Sequence, residues 1–210
     1  MLILSFDCAN KSLAYSLIDV NIDLLKEILN KYPNRKKNQE IIIDVDDIST
    51  CFTYVDSDVA DLLDGKKLKN VSSVDRAKSL RKYIDNKKFD IDINTNILIE
   101  KQPEKVNVKS CSVSDQLLYH FANQTNISTI SPSLKNKISF TSENNSLIYN
   151  KFVTKYSSSY IANKNHAKEN FLHFINKSGQ EHVISNVKKS NYNDIADSFM
   201  QIIAYYAFNY

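Results

Sequence analysis

The chain has 210 residues, of which 42% are hydrophobic, with a formal net charge of +3 and a sequence pI near 8.6. This length suits one domain with a buried core, which excludes a disordered or fibrous protein. The mildly basic balance permits nucleic-acid binding without requiring it. Three widely spaced cysteines, Cys8, Cys51 and Cys111, fit neither a zinc motif nor a disulfide framework. We therefore expect buried free thiols.

The N-terminal half begins with strand-forming sequence. Leu2–Phe6 and Leu13–Val20 are apolar runs that predict a hairpin whose turn follows Asp7. A short helix near Leu24–Leu29, an exposed loop through Pro33–Asn38 and a third strand at Glu40–Val45 are expected next. From Asp58 to Asp85 the apolar residues follow helical spacing, and the break at Gly65-Lys66-Lys67 predicts two helical pieces.

The second half alternates between strands and helices. Its predicted elements are a buried strand at Asn96–Glu100, a helix at Ser112–Gln124, a strand at Ile127–Ile130, a loop over 133–157, and helices at Tyr160–Ile175 and Asn193–Tyr205. This order favours an α/β fold in which a mixed sheet, with three antiparallel strands and then parallel strands, is flanked by helices. We expect a single domain over 1–210, with insertions near 21–40 and 133–157. With no secretory signal and no stretch of transmembrane length, a soluble, non-secreted protein of a reducing compartment is expected.

Four acidic residues carry the functional interpretation. Asp7 and Glu100 each end a predicted strand, and Asp194 and Asp197 lie three residues apart at the start of the last helix. If the two strands are neighbours, both acids point to the same edge of the sheet, where a helix can add the other two. Clustered carboxylate oxygens suit Mg²⁺ or Mn²⁺. Two such ions about 3.5–4 Å apart can support phosphodiester hydrolysis.

Each acid also has an ordinary structural interpretation. Asp7 can close the hairpin turn. Glu100 can form a surface pair with Lys101, and acids at a helix start commonly stabilise the helix dipole. The combination of the three features, in this order and with these neighbours, favours a metal site.

Three segments resemble those of RuvC-like Holliday-junction resolvases, which belong to the RNase H-like superfamily. Ile3–Ser16 resembles their opening strand pair, and Ile97–Pro103 resembles their second acidic motif, notably in the poxvirus and mitochondrial branches. Lys189–Ser198 is similar to their closing motif, in which a basic polar stretch precedes two aspartates with an alanine between them. The chain departs from the pattern of this family at two points. Ala9 stands where many relatives have glycine, and the chain is longer than the compact viral enzymes.

The resemblance implies an RNase H-like fold and a homodimer that makes paired, symmetric nicks in a four-way DNA junction. If the protein is viral, it implies a location in the host cytoplasm or nucleus. Asp7, Glu100, Asp194 and Asp197 would hold two Mg²⁺ ions, for which Mn²⁺ could substitute. Relatives carry a catalytic lysine in the region of the long helix, so Lys168 is the first candidate and Lys164 the second, although both could simply form a solvated helix face. Further substrate-binding candidates are Lys11, Gln102, Lys135, Lys188 and Lys189.

Other classes remain open at this point. An RNase H-like nuclease that cuts RNA–DNA hybrids or flaps would keep a similar acidic set, and a non-catalytic junction-binding module could share the fold. DEDD exonucleases require an acid two residues after Asp7, where Ala9 stands. Actin-like ATP-binding proteins require glycine-rich phosphate loops, which two glycines in the whole chain argue against.

Overall fold

The computed structural model describes residues 1–32, 36, 39–102, 108–142 and 145–210. Within these ranges the strands are β1 (Leu2–Cys8), β2 (Ser12–Val20), β3 (Ile41–Asp44), β4 (Phe52–Asp61), β5 (Asn96–Glu100), β6 (Ile127–Ile130), β7 (Ile138–Ser142) and β8 (Asn145–Ser146). The helices are α1 (Ile22–Leu29), α2 (Val45–Ile48), α3 (Ser73–Lys87), α4 (Val108–His120), α5 (Tyr149–Lys155), α6 (Ser159–Ser178) and α7 (Tyr192–Asn209).

The main sheet has five strands in the order β4-β2-β1-β5-β6. The pairs β1–β2 and β2–β4 are antiparallel, whereas β1–β5 and β5–β6 are parallel. The sheet therefore consists of three antiparallel strands that continue into two parallel ones, as the sequence predicted.

The side chains of β1 alternate between two cores, one on each face of the sheet. Leu4 and Phe6 point to a core shared with α3 and α4, and Ile3 points to a larger core that contains residues of α6 and α7. Ser5 and Asp7 follow Ile3 on the second face because strand side chains repeat with a period of two. The alternation therefore directs Asp7 toward the face on which α7 lies.

A second sheet has the order β3-β7-β8, with β3 and β7 parallel. It packs against α2 and α6. Ile43, Ile138 and Phe140 from this sheet are fully buried in the core that also holds α6 and α7. The second sheet thus extends the larger core beyond the main sheet.

Most of the predicted elements are confirmed. The initial hairpin, the short helix after it, the strands Asn96–Glu100 and Ile127–Ile130, and the helices α4, α6 and α7 are present close to their predicted bounds. Residues 33–35 and 37–38 of the predicted exposed loop lie outside the described residues.

Three structural predictions were wrong. The third antiparallel strand is β4, and the predicted strand at Glu40–Val45 forms β3 in the second sheet. Residues 58–61 are part of β4, so only the second of the two predicted helical pieces exists, as α3. The segment 133–157, predicted as a loop, contains β7, β8 and α5. In each case long-range pairing or packing overrode the local pattern.

The three cysteines are free and buried, as predicted. No helix in the described ranges combines the length and the apolar character that crossing a bilayer requires.

Phe199 of α7 lies at the centre of the larger core. It is fully buried, and its ring lies 4.7 Å from that of Phe174 and 5.4 Å from that of Phe171, measured between centroids. We expect Phe199→Ala to lower the free energy of unfolding by about 3–5 kcal/mol, because the lost side chain leaves a cavity that a packed core fills only in part. Urea unfolding followed by circular dichroism measures this change.

Tyr119→Ala is the matched control, since Tyr119 is 84% exposed. It should alter the free energy of unfolding by less than about 0.5 kcal/mol. A loss for Phe199→Ala no larger than that of the control would contradict the proposed role of this ring.

Candidate functional site

Asp7 and Glu100 lie side by side at one edge of the main sheet. β1 and β5 are parallel, with Phe6 opposite Ile99, so the acids that follow these residues occupy neighbouring positions. Asp7 is 5% exposed and Glu100 1% exposed. The two strand-end carboxylates therefore meet at one edge of the sheet, where the sequence placed them on the condition that the two strands are neighbours, and both are buried.

α7 brings the other two acids to the same place. The helix packs across β1 and β2, with Asp194 and Asp197 in its first two turns. Asp197 is 2% exposed, whereas the side chain of Asp194 is 27% exposed and accepts a hydrogen bond from Ser12 Oγ at 3.2 Å. All four predicted metal ligands thus converge on one site, three of them buried and one at its rim.

Two lysines neutralise much of this negative charge. Lys135 Nζ lies 2.9 Å from Glu100 Oε2, 3.2 Å from Asp197 Oδ2 and 3.4 Å from Asp7 Oδ1. Lys164 of α6 forms an ion pair with Asp197, and its Nζ lies 3.2 Å from Asp194 Oδ1 and 4.0 Å from Asp7 Oδ2. Together the two ammonium groups contact all four carboxylates.

The pKa values reflect the competition between burial and these charges. Burial alone would raise the pKa of Asp7, but Lys135 and Lys164 outweigh it and lower that pKa to about 2. Burial raises the pKa of Glu100 well above its ordinary value, and the negative charge of Asp7 adds to this effect. Burial also raises the pKa of Asp197, despite the two lysines. Of the two neighbouring carboxyls, Asp7 is therefore the more acidic and Glu100 the less acidic.

Both lysines remain charged in spite of their burial. Burial by itself would lower the pKa of Lys135, but the carboxylates of Asp197, Asp7 and Glu100 raise it above the ordinary value. The pKa of Lys164 is raised in the same way, mainly by Asp7 and Asp197. Each ammonium group thus depends on the acids around it for its charge, and the acids depend on the ammonium groups.

The cluster forms the floor of an open cavity of about 710 Å³. Besides the four acids and two lysines, the residues that line it include two predicted substrate contacts, Lys11 and Gln102. The other lining residues are Cys8, Ala9, Asn10, Ser12, Leu68, Pro132, Ser133, Asn136, Tyr160 and Asn163. Its volume and the charged and polar residues that line it are suited to a polar, charged substrate such as a nucleic-acid strand.

Other predicted site residues lie elsewhere. Lys168, the first candidate for the catalytic lysine, does not line the cavity, and its Nζ lies 3.8 Å from Glu169 Oε1. Lys188 and Lys189 are exposed and also do not line the cavity. Lys135, predicted as a surface phosphate contact, is 7% exposed and lies within the acidic cluster. Pro103, which ends the second acidic motif, lies outside the described residues.

Sequence reasoning missed the side chains that hold Glu100 in place. Gln201 is fully buried, donates a hydrogen bond from Nε2 to Glu100 Oε2, and accepts one from Ser5 Oγ at 3.1 Å. Gln102 donates to Glu100 Oε1. Their spacing in the sequence could have identified two of these residues. Gln201 lies four residues after Asp197 and so shares its helix face, and Ser5 lies two residues before Asp7 and so shares its strand face.

The donor chemistry of the cluster fits a hard divalent cation, since four carboxylates from three elements supply only oxygen ligands. However, among the described residues no group of three or more His, Cys, Asp or Glu has its atoms arranged for a metal ion. The ammonium groups of Lys135 and Lys164 contact the same oxygens, so a cation must compete with them. Asp7, Glu100, Asp194 and Asp197 are the residues that would hold it.

Comparison by sequence gave no relatives: no family model and no curated protein matches the chain. Comparison by structure found similar folds. The chain is similar to the fowlpox virus resolvase in a crystal structure with its substrate Holliday junction DNA, with 16% identity and a TM-score of 0.53 over 98% of this chain and 97% of that one.

Two further structures have TM-scores below 0.5. One is a crystal structure of the fowlpox virus Holliday junction resolvase, with 15% identity and a TM-score of 0.49 over 98% of this chain and 96% of that one. The other is the yeast mitochondrial Holliday junction resolvase, with 14% identity and a TM-score of 0.48 over 98% of this chain and 79% of that one. At 16% identity the first of these comparisons establishes the fold alone: this chain has the fold of the fowlpox virus resolvase.

Proposed function

We propose that the protein is a metal-dependent endonuclease that resolves four-way DNA junctions by paired, symmetric phosphodiester hydrolysis during recombination or replication. One observation carries this proposal: Asp7, Glu100, Asp194 and Asp197 converge at the floor of a cavity on a resolvase fold. Two lysines lie beside them, and the cavity is open to solvent. The oxygen ligands of these four acids are of the type that binds hard cations next to a phosphate, once the cations displace the ammonium groups.

The four acids would hold two Mg²⁺ ions, for which Mn²⁺ could substitute. When bound, such a pair supplies an activated water and neutralises charge on the leaving oxygen. Gln102 and Gln201 hold the two oxygens of Glu100 and orient its carboxylate. Lys164, with its side chain 21% exposed at the cavity, is suited to contact the phosphate, while the deeper Lys135 balances charge among the acids.

The proposed substrate is branched DNA, and the proposed active form is a homodimer. The fowlpox virus resolvase, whose fold this chain shares, was crystallised with Holliday junction DNA. A paired, symmetric cut requires two active sites related by two-fold symmetry, and one chain has only one such cluster in its described residues. A second copy of the chain is the simplest source of the other site.

Removing one acid should abolish cleavage. For Asp7→Asn or Asp194→Asn we expect the cleavage rate of a mobile four-way junction in Mg²⁺ to fall by roughly 100-fold or more, with junction binding largely retained. Assays should compare the junction with a flap, a hybrid duplex and linear DNA. Asp90→Asn, at an exposed position, is the control and should cleave normally. Full activity of both site variants would refute the assignment of the acids.

The two candidate lysines can be separated by a matched pair of substitutions. Lys164 and Lys168 lie one turn apart on α6, but only Lys164 reaches the acids. Lys164→Gln should lower the cleavage rate by roughly 10–100-fold, whereas Lys168→Gln should leave it nearly unchanged. If Lys168→Gln lowered the cleavage rate more than Lys164→Gln did, Lys168 would again be the first candidate for the catalytic lysine, as the sequence resemblance implied.

Lys135 should matter for stability as well as activity. Lys135→Met leaves buried carboxylates without their counter-charge, so we expect the free energy of unfolding to fall by about 3–5 kcal/mol in EDTA. Saturating Mg²⁺ should stabilise this variant more than the wild type, because the ions meet less competition for the same oxygens. Urea unfolding with and without Mg²⁺ tests both points, with Lys168→Met as the control. An equal effect of Mg²⁺ on all three proteins would argue against metal binding among these acids.

A further inference from the structure

Residues 62–70 belong to the segment between β4 and α3, and they form part of the wall of the cavity at the acidic cluster. Leu68, in a short 3₁₀ turn that spans Leu68–Asn70, is one of the lining residues. The segment follows Asp61, which pairs with Ser12 at the end of the hairpin that carries Asp7. From its sequence this segment was interpreted only as a break between two helical pieces. We refer to residues 62–70 as the cavity loop.

The cavity loop is firmly attached at its base. Leu62 is 1% exposed and Leu63 is 5% exposed, and the Leu62 N–H donates to Lys11 O at 2.8 Å, next to the turn of the hairpin. The Asp61 carboxylate accepts hydrogen bonds from the backbone N–H groups of Leu63 at 2.9 Å and Gly65 at 2.7 Å. These contacts join the loop to the strand pair that positions Asp7.

The backbone of the loop also turns sharply. Asp64 and Gly65 both have positive φ, at 54° and 74°. Glycine tolerates this conformation, whereas for Asp64 it is uncommon and costs free energy. The chain therefore maintains a specific shape at this turn, after which it returns along the cavity through Leu68.

The segment displays three positive charges. Lys66, Lys67 and Lys69 are exposed, and they surround Leu68 in the sequence. Within the described ranges none of the three forms an ion pair with a carboxylate. Lys11 lines the cavity itself and is bonded through its backbone to the loop, whereas the three loop lysines flank the lining residue Leu68 in the sequence. By contrast, the acids of the site are already engaged by Lys135 and Lys164.

A pre-shaped loop with unpaired lysines beside an acidic catalytic floor needs a partner that is negatively charged and extended. A strand of DNA has this chemistry, since its phosphates attract lysines at any sequence. A rim of positive charge also offsets the repulsion that a polyanion meets as it approaches the acids.

We propose that the cavity loop is a substrate-binding element in which Lys66, Lys67 and Lys69 contact backbone phosphates of the DNA strand that lies across the cavity. The proposal rests on the proposed function. It assigns to the loop a non-sequence-specific role: it holds the strand across the cavity while the acids and Lys164 meet the scissile phosphate.

The test is the triple variant Lys66→Ala/Lys67→Ala/Lys69→Ala, measured by fluorescence anisotropy with a labelled four-way junction in EDTA over a series of KCl concentrations. Lysine–phosphate contacts release counterions, and each contributes about 0.9 to the slope of log affinity against log salt. We expect the slope to decrease by about 2–3 and the affinity at low salt to fall by roughly tenfold or more.

The matched control is Lys26→Ala/Lys78→Ala/Lys82→Ala, which removes the same charge from exposed positions on α1 and α3, outside the loop that contributes Leu68 to the cavity. It should change the slope by much less. Equal slopes for the two triple variants, or an unchanged slope for the loop variant, would overturn the proposal. Junction cleavage by the wild type in Mg²⁺ is measured in parallel, so that a failure of the proposed function is recognised separately as an absence of wild-type cleavage.

Discussion

The structure depends on one electrostatic constraint: four carboxylates must share a small, mostly buried volume. Without counter-charges, the repulsion between the carboxylates and the loss of their hydration would destabilise the fold or leave the acids protonated. Lys135 and Lys164 meet this constraint from two different elements, and their own charges are maintained by the acids they contact. The two ammonium groups thus offset part of the negative charge of the four carboxylates, and a divalent ion would have to compete with them for the same oxygens.

The relative positions of the main sheet and α7 bring the four acids together. The parallel pairing of β1 with β5 aligns the two strand-end acids, and α7 crosses the same face to add its aspartates. Gln201 connects helix and sheet directly, since its amide bonds both Glu100 and Ser5. The aromatic core around Phe199 holds α7 against the strands at the next turns of the helix. Packing of the core and geometry of the site are therefore parts of one arrangement.

The segments around this centre have different roles. The second sheet extends the larger core and places its 3₁₀ turn at Lys135–Lys137 so that one lysine enters the acidic cluster. The cavity loop contributes Leu68 to the cavity wall, and the hairpin turn contributes Lys11. Exposed lysines on the loop beside an acidic cluster are the charge pattern from which DNA binding is proposed.

The sequence by itself predicted the elements with strong local signals. The strands of the initial hairpin and of Asn96–Glu100, the helical periodicity of α6 and α7, and the four acids at element ends were all readable from neighbouring residues, as was the sheet type. These features depend on side-chain periodicity and on where a strand or helix begins or ends, which are local properties.

Only the tertiary structure decided the rest, because it depends on contacts between residues far apart in the chain. β4 is an edge strand, and its polar Asp56-Ser57-Asp58 run interrupts the alternation of apolar and polar residues that would identify it as a strand. β7 pairs with β3 at Ile41–Asp44, about a hundred residues earlier in the chain. No local pattern distinguishes Lys135 from a surface lysine, or Lys164 from Lys168 one turn later. Their roles follow from which of them the folded chain brings within reach of buried carboxylates, where burial makes an unpaired charge too costly to keep.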